Sequence, residues 1–110
     1  MSIPYLPLFV ADYEADTAHL TVAEDGAYMR LLRLQWRTPG CTLPNDDEWI
    51  KRRVRASDSE WSDVFAPLLS EFFTVNRGRI YQARLRSEHE RINATSAKRR
   101  SAGKKGGRPR

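Results

Sequence analysis

The sequence predicts a mainly helical domain with a small β hairpin, an α+β fold, and three observations support this prediction. Residues 21–24 and 57–60 both have the Ser/Thr-x-x-Glu pattern of a capping box, which marks the start of a helix. Apolar residues between positions 61 and 72 recur at the spacing of one helix face. Two β-rich runs then flank a tight, glycine-containing turn at residues 76–78, which is typical of a hairpin.

The segment before the first capped helix, residues 3–13, is expected to be extended, because its two prolines oppose a helix and a short apolar run follows them. Asp16 and Thr17 are expected to form a polar turn. His19 lies in that turn. We expect it to act as a structural hydrogen-bonding group, since no acid and nucleophile are spaced near it.

The first capped helix is expected to begin at Val22 and to stop at Pro39-Gly40. Its apolar and amide side chains cover an arc of roughly 200°, which predicts a helix buried on most sides. The remaining strip is narrow and cationic. It contains Gly26, which is expected to let another backbone approach closely, and it carries the arginines Arg30, Arg33 and Arg37.

A strand and two helices are expected before the hairpin. Residues 41–43 are expected to form a very short strand that Pro44 closes. Asn45 or Asp46 then caps a second helix, with acids in its first turn and cations near its end. The third helix begins at the second capping box, and a proline within it predicts a kink or break near residues 63–67.

The net charge of +5 is unevenly distributed. Residues 1–92 carry 12 Lys and Arg and all 14 Asp and Glu, whereas residues 93–110 carry seven cations and no acid. Helix formers return after the hairpin, from residue 83 to about residue 95, and the rest of the chain has too little apolar surface to order itself. We therefore expect a domain at residues 1–92 and a basic, disordered, flexible tail at residues 93–110.

The expected order of elements is that of a winged helix-turn-helix domain with an extended N-terminal segment and a C-terminal helix. In that architecture the third helix usually enters the DNA major groove. Here its outward face carries Glu60, Asp63 and Glu71, and a close pair of like charges costs roughly 1–4 kcal/mol, depending on the local dielectric. We therefore expect nucleic-acid contacts elsewhere.

The basic tail favours contact with nucleic-acid phosphates, most simply those of DNA, and it lacks aromatic side chains for base stacking. If all seven tail cations paired with duplex phosphates, log K would fall with log salt at a slope of roughly −6. The predicted nucleic-acid-binding residues are the cations that end the second helix, those on and after the hairpin, and those in the tail: Lys51, Arg52, Arg53, Arg55, Arg77, Arg79, Arg84, Arg86, Lys98, Arg99, Arg100, Lys104 and Lys105.

Several other classes of protein lack support in the sequence. Its first residues include no charged n-region and no run long enough to span a bilayer, which predicts a cytoplasmic location without membrane contact. The single cysteine, Cys41, allows no intramolecular disulfide and is expected to be semi-buried. Because the sequence has no glycine-rich phosphate loop, metal-ligand cluster or nucleophile–base pair, we expect no metal, no cofactor and no enzymatic activity.

Distinctive motifs extend over almost the whole chain: ADYEADTAHLT, EDGAYMRLLRLQW, TPGCTLPNDDE, EFFTVNRGRIYQARL and SAKRRSAGKKGG. In this combination the chain resembles the YdaU-like family of phage and prophage proteins, a domain of unknown function often linked by gene context to phage replication initiation. The resemblance implies a winged helix and a role near a phage replisome, as organiser or initiator. This chain departs from the family pattern at Asp25, where relatives often have histidine.

Two functions are therefore open. The first is a small nucleic-acid-binding protein of phage or prophage origin that acts in replication initiation or its control. The second is a protein-interaction module that docks on a host or phage replication, transcription or defence protein, for which the acidic third helix and the strip of Arg30, Arg33 and Arg37 are the expected contacts. The sequence distinguishes neither DNA from RNA nor single from double strands, and it does not set the oligomeric state.

Overall fold

The computed structural model describes residues 3–106, with side chains for residues 3–99. Within these residues the α-helices are α1 (Val10–Thr17), α2 (Val22–Arg37), α3 (Asp47–Val54), α4 (Asp58–Glu60), α5 (Ala66–Phe72) and α6 (Ala83–Gly106). The strands are β1 (Leu43–Pro44), β2 (Thr74–Asn76) and β3 (Arg79–Tyr81). A 3-10 turn, Pro39–Cys41, follows α2, and a π-helical turn, Trp61–Phe65, joins α4 to α5. The mainly helical α+β fold is thus confirmed.

The central helix is α2, and it begins at Val22 as expected. Both halves of its capping box are present: the Thr21 hydroxyl accepts from the Glu24 N–H at 3.1 Å, and the Glu24 carboxylate accepts from the Thr21 N–H at 2.8 Å. Its buried residues cover a wide arc: Ala27, Tyr28, Leu31, Leu32, Leu34, Gln35 and Trp36. The broad buried face that the sequence predicts is therefore confirmed.

The hydrophobic core surrounds the buried face of α2. Leu31 of α2, Leu43 of β1 and Ile50 of α3 have no exposed surface. The π turn, α5, β3 and α6 close the core with Phe65, Leu68, Ile80 and Leu85. Every element after α1 except the short α4 and the edge strand β2 thus buries at least one apolar side chain in a single core.

The expectation of an extended segment over residues 3–13 is wrong beyond Phe9, because α1 begins at Val10. Asp16 and Thr17 consequently lie in that helix and not in a polar turn. Both prolines of the segment precede Val10, so no missing N–H or fixed ring opposes a helix from that residue onward.

Tertiary contacts hold the short helix α1. Tyr13 stacks on Tyr28 of α2 with ring centroids 5.9 Å apart, and its hydroxyl donates to Asp25 Oδ1 at 2.5 Å. His19, just after α1, hydrogen bonds with Glu71 at 2.6 Å, which agrees with the structural role expected of it. A helix of eight residues has marginal stability alone, so these contacts account for its presence.

The second and third helical segments begin where the sequence predicts. The Asp46 carboxylate caps α3 by accepting from the Trp49 N–H at 3.2 Å, which decides between the two predicted caps. The second capping box is present at the start of α4. The break expected near Pro67 takes the form of the π turn, in which the Ala66 N–H donates to the Trp61 carbonyl five residues earlier.

The predicted hairpin is present as β2 and β3, and the sheet order is β1-β3-β2, all antiparallel. Its connection is a two-residue turn in which Arg77 and Gly78 both have positive φ, 53° and 76°. Positive φ at both positions matches the strand twist of a tight hairpin, which is why a glycine is found there.

The short strand expected at residues 41–43 is displaced to Leu43–Pro44. Gly40 and Cys41 have positive φ values of 81° and 52°, which strand residues do not adopt. Cys41 has no exposed surface and is more buried than expected. This burial raises the pKa of its thiol to about 11.

The long helix α6 contradicts part of the expected flexible tail, because residues 93–106 are helical. No proline interrupts this segment, and side-chain pairs one turn apart, such as Arg91 with Glu88 at 2.6 Å, support a helix. Among residues 83–99, whose side chains are described, Ile92 is the last one packed against the core. The expectation for residues 107–110 lies outside the described residues.

Candidate nucleic-acid interface

A pocket of about 250 Å³ on the surface is surrounded by arginines from two helices. It lies where the second half of α2 meets the end of α3. Three of its arginines belong to the cationic strip of α2. The other two belong to the predicted nucleic-acid contacts at the end of the second helix, which is α3. We call this the arginine pocket; its lining is Arg30, Arg33, Leu34, Arg37, Arg53, Val54 and Arg55.

The spacing of α2 places its three arginines on one face. Arg33 and Arg37 follow Arg30 by three and seven residues, so successive turns of the helix stack them beside one another. Arg33 and Arg37 are exposed, whereas the intervening Leu34 is buried and fixes which side of α2 faces the core. Packing of the apolar face therefore directs the cationic face outward.

Arg30 connects the two helices. Its Nη1 donates to the Val54 carbonyl at 2.9 Å, and Val54 is the last residue of α3. The last carbonyls of a helix have no partner within the helix, so this bond satisfies one of them. Arg30 is half-buried as a result, and it fixes the distance between α2 and the end of α3.

Arg53 is held by Trp49, one turn earlier in α3. The guanidinium carbon lies 3.8 Å from the centre of the Trp49 ring, and Nη1 donates to the Trp49 carbonyl at 3.3 Å. The stacked guanidinium keeps its planar donors available and loses little further freedom on binding an anion. Trp49 thus supports a charged group as well as the core.

Arg55 ends α3 in the left-handed conformation, with φ 62° and ψ 47°. Its N–H donates to the Arg52 carbonyl and the Ala56 N–H donates to the Lys51 carbonyl, the Schellman arrangement that usually has glycine at this position. A side chain there costs about 1 kcal/mol. The strain places a guanidinium at the rim of the pocket, and strained residues cluster at functional sites.

The arginine pocket is unbalanced in charge. Among residues 3–99, no carboxylate forms an ion pair with Arg30, Arg33, Arg37, Arg53 or Arg55; the ion pairs found there involve other residues. Neighbouring cations that have no carboxylate at ion-pair distance raise the local positive potential and attract polyanions. Bidentate guanidinium groups also match the geometry of phosphate oxygens.

The cations around the hairpin are largely engaged in contacts within the chain. Arg79 donates to the Thr42 hydroxyl at 2.9 Å and to its carbonyl at 3.2 Å, which ties β3 to the residue before β1. Arg84 pairs with Asp16 at 3.3 Å and lies 3.8 Å from Asp12. Of the hairpin residues predicted to bind, Arg77 alone has no such contact within the described part of the chain.

Two further cations have partners. Arg86 lies over the Tyr81 ring at 4.7 Å and 3.9 Å from Glu90. Lys51 forms an ion pair with Asp58, which raises the pKa of the lysine and lowers that of the carboxyl group through the hydrogen bond between them. Arg52 is exposed on α3.

The cations predicted in the tail lie along α6. Lys98 and Arg99 are exposed, and Arg100, Lys104 and Lys105 belong to the same helix beyond the residues whose side chains are described. The structure therefore brings the α2 strip together with Arg53 and Arg55. The hairpin cations, Lys98 and Arg99 do not line the pocket. The sequence does not predict this cluster, because the α2 strip is expected to contact a protein whereas Arg53 and Arg55 are expected to contact nucleic acid.

Two observations bear on other kinds of site. Within residues 3–106, no helix is sufficiently long and apolar to cross a membrane. No three His, Cys, Asp or Glu side chains in the described part of the chain are grouped as metal ligands.

Comparisons with known proteins find relatives without an established activity. A family model described as "Protein of unknown function (DUF1376)" matches residues 4–90. "Uncharacterized protein YdaU" of Escherichia coli (strain K12) is 34% identical over 103 residues, which covers 94% of this chain. The chain spans about a third, 35%, of the length of that relative. No solved structure matches the chain.

Proposed function

The chain belongs to the DUF1376 family, whose function is unknown, and from this premise we propose that it is a small nucleic-acid-binding protein. We further propose that it acts in phage or prophage replication initiation or its control, the role that the family resemblance implies. The observation that carries the proposal is the arginine pocket, which is lined by five arginines, none of which forms an ion pair with a carboxylate among residues 3–99.

The arrangement of elements supports this proposal. Three helical segments, α2, α3 and α4–α5, precede the β2–β3 hairpin, and β1 joins that hairpin in the order β1-β3-β2. This is the order expected of a winged helix, with β2–β3 as the wing. The acids on α4–α5, including the exposed Asp63 and Glu71, oppose a polyanion. We therefore propose that phosphate contacts come from the arginine pocket, with further contacts from the basic part of α6 and from Arg77.

The proposal predicts binding that depends strongly on salt. Fluorescence anisotropy with labelled DNA, titrated at several salt concentrations, measures the affinity and its slope. Each lost phosphate contact reduces the slope by about 1. A chain that ends at residue 92 lacks all seven cations of residues 93–110, so a markedly smaller slope identifies contacts from residues 93–110.

Charge reversal at two exposed arginines separates the pocket from the hairpin. Arg37→Glu and Arg77→Glu change the net charge equally, but only Arg37 lines the arginine pocket. We expect Arg37→Glu to weaken DNA binding about tenfold or more and Arg77→Glu to weaken it less. Equal effects would indicate long-range attraction without a defined site, and no binding by the wild type at low salt would refute the proposed function.

A second candidate function is supported by one observation. Apolar side chains near the N-terminus are unusually exposed, with fractions of 63% for Tyr5, 47% for Phe9 and 63% for Val10. Such a patch suits docking on a protein, as expected of an interaction module. This alternative predicts that a replication protein co-purifies with the chain and that the chain does not bind DNA. Phe9→Ser should abolish the co-purification, and Arg37→Glu should leave it unchanged.

A further inference from the structure

We propose that the bound nucleic acid is single-stranded, with one phosphate in the arginine pocket and the adjoining base in a groove beside Gly26. This inference rests on the proposed function and specifies the class of nucleic acid. The observation behind this inference is a second concave surface, which shares Arg30 and Arg33 with the arginine pocket.

The second surface, which we call the Gly26 groove, is a cavity of about 480 Å³ between α2 and the π turn. Arg30 and Arg33 line both cavities, so the groove and the pocket are neighbours along one face of α2. Gly26 precedes Arg30 by four residues, which is about 6 Å of helix rise. One nucleotide can therefore place its phosphate at the arginines and its base beside the glycine.

Gly26 keeps the groove open. The expectation that another backbone approaches it is wrong within the described residues, since a Cβ built there meets nothing within 4 Å. An interior glycine lowers helix stability relative to alanine. Gly26 has an ordinary helical φ, so neither its conformation nor its packing requires glycine. The space that glycine leaves for a ligand accounts for its presence at this position.

The lining of the groove contains both charged and apolar side chains. Besides Arg30 and Arg33, the walls include the apolar side chains of Val22, which is 93% exposed, and Val64, and an apolar wall suits the flat face of a base. Glu60 lies on the rim, where one carboxylate oxygen accepts from the Ser57 N–H at 2.8 Å. A carboxylate repels phosphate but accepts hydrogen bonds from the exocyclic amino group of a base. The charges therefore orient the nucleotide with its phosphate towards the arginines.

The same geometry disfavours a duplex. Bases in a duplex are stacked and paired, so none can enter the groove unless it is flipped out at an energetic cost. A duplex also carries a second row of phosphates. Glu60 lines the groove, and the exposed Asp63 follows it three residues later in the π turn. These carboxylates would repel that row. A single strand meets the arginines with one row of phosphates and keeps its bases free.

The test fills the groove without changing charge. Gly26→Leu adds a side chain to open space on a helix, where leucine is a better helix former, so the variant should fold at least as stably as the wild type. Ala11→Leu is the matched control, since Ala11 is exposed on α1 and lies outside the groove. The full-length chain is titrated with labelled oligodeoxyadenylate, with the same strand annealed to its complement, and with an abasic strand of equal length and charge.

We expect the wild type to bind the oligodeoxyadenylate about tenfold more tightly than the abasic strand, a ratio of the size that base contacts usually contribute. Gly26→Leu should remove this preference and leave abasic-strand affinity unchanged, and Ala11→Leu should retain it. Three results would overturn the inference and leave the proposed function standing. The wild type could bind the oligodeoxyadenylate and the abasic strand equally, it could bind the duplex more tightly than the single strand, or Gly26→Leu could retain the preference for the oligodeoxyadenylate. Absence of binding to all three ligands would refute the proposed function itself.

Discussion

Gln35 is the buried polar residue on which the connection between α2 and the rest of the domain depends. It has no exposed surface. Its amide nitrogen donates to the carbonyls of Cys41 at 3.0 Å and Gln82 at 3.2 Å, and its oxygen accepts from the Gln82 N–H at 2.8 Å. One side chain thereby satisfies backbone groups of the turn after α2 and of the residue before α6.

Gln35→Leu is therefore expected to destabilise the domain by about 2–4 kcal/mol, because it leaves several buried backbone groups without a partner. Urea unfolding measures the change. Met29→Leu, a substitution of similar volume on the same helix, is the control and should cost less than about 1.5 kcal/mol. A loss for Gln35→Leu no greater than that of the control would mean that these hydrogen bonds contribute little.

Tyr13 makes the stability of the contact between α1 and α2 depend on pH. Burial raises the pKa of its phenol above the ordinary 10.0, and the hydrogen bond to Asp25 and the charge of that carboxylate raise it further. The folded state thus favours the neutral phenol. Its stabilising contribution is fully present below pH 10 and is lost as pH rises above 10, where the unfolded chain ionises first.

We expect the wild type to lose stability above pH 10 more steeply than Tyr13→Phe, and the variant to be about 1–2 kcal/mol less stable at neutral pH. Urea unfolding across the alkaline range measures both effects. Burial also raises the pKa of Tyr28, so part of the alkaline loss should persist in the variant. Identical pH profiles would contradict the role of Tyr13.

At the scale of elements, the end of α3 combines a stability cost with a binding surface. Arg55→Gly is expected to raise the free energy of unfolding by about 0.5–1 kcal/mol, because glycine adopts the left-handed conformation without a steric penalty. The same change should weaken DNA binding, since it removes a guanidinium from the pocket. Urea unfolding and anisotropy measure the two effects separately.

Arg55→Ala is the informative control for this prediction. Alanine keeps the left-handed strain and loses the charge, so its affinity should fall as in Arg55→Gly without a comparable gain in stability. If Arg55→Gly were no more stable than Arg55→Ala, the backbone strain would not be released by glycine. If both variants bound DNA like the wild type, Arg55 would lie outside the contact surface.

The whole molecule is elongated because α6 extends beyond the core. Its Cα radius of gyration is 16.8 Å and its longest extent is 62 Å, whereas a compact chain of this length has a radius near 13 Å. A helix of 24 residues is about 36 Å long. Among the residues with described side chains, Ile92 is the last of α6 to pack against the core, and Lys98 and Arg99 beyond it are exposed.

Removal of residues 93–110 should leave the core intact and reduce the radius of gyration to about 12 Å, the value for a compact chain of 92 residues. Small-angle X-ray scattering measures the radius, and circular dichroism measures the accompanying loss of helical signal. The lost signal should correspond to the helical residues 93–106. A smaller radius without any loss of helical signal would show that this segment is not helical in solution.

Local sequence patterns are sufficient to predict the features that depend on neighbouring residues. The capping boxes, a cap at Asn45 or Asp46 and the hairpin follow from spacings of a few residues. The structure has the boxes and the hairpin where they are predicted and selects Asp46 as the cap. The broad buried face of α2 follows equally from helical periodicity. The spacing of apolar residues within one helix is enough to determine which of its faces is buried in the core.

Tertiary structure decided what depends on residues far apart in the chain. The helix α1 exists because Tyr13 meets Tyr28 and Asp25, and Gln35 spans 47 residues to reach Gln82. The arginine pocket likewise forms only because Arg30 of α2 bonds to the end of α3. Local patterns predict which side chains point outward from each helix. The packing of two helices decides which outward-facing charges become neighbours, and the arginine pocket depends on this packing.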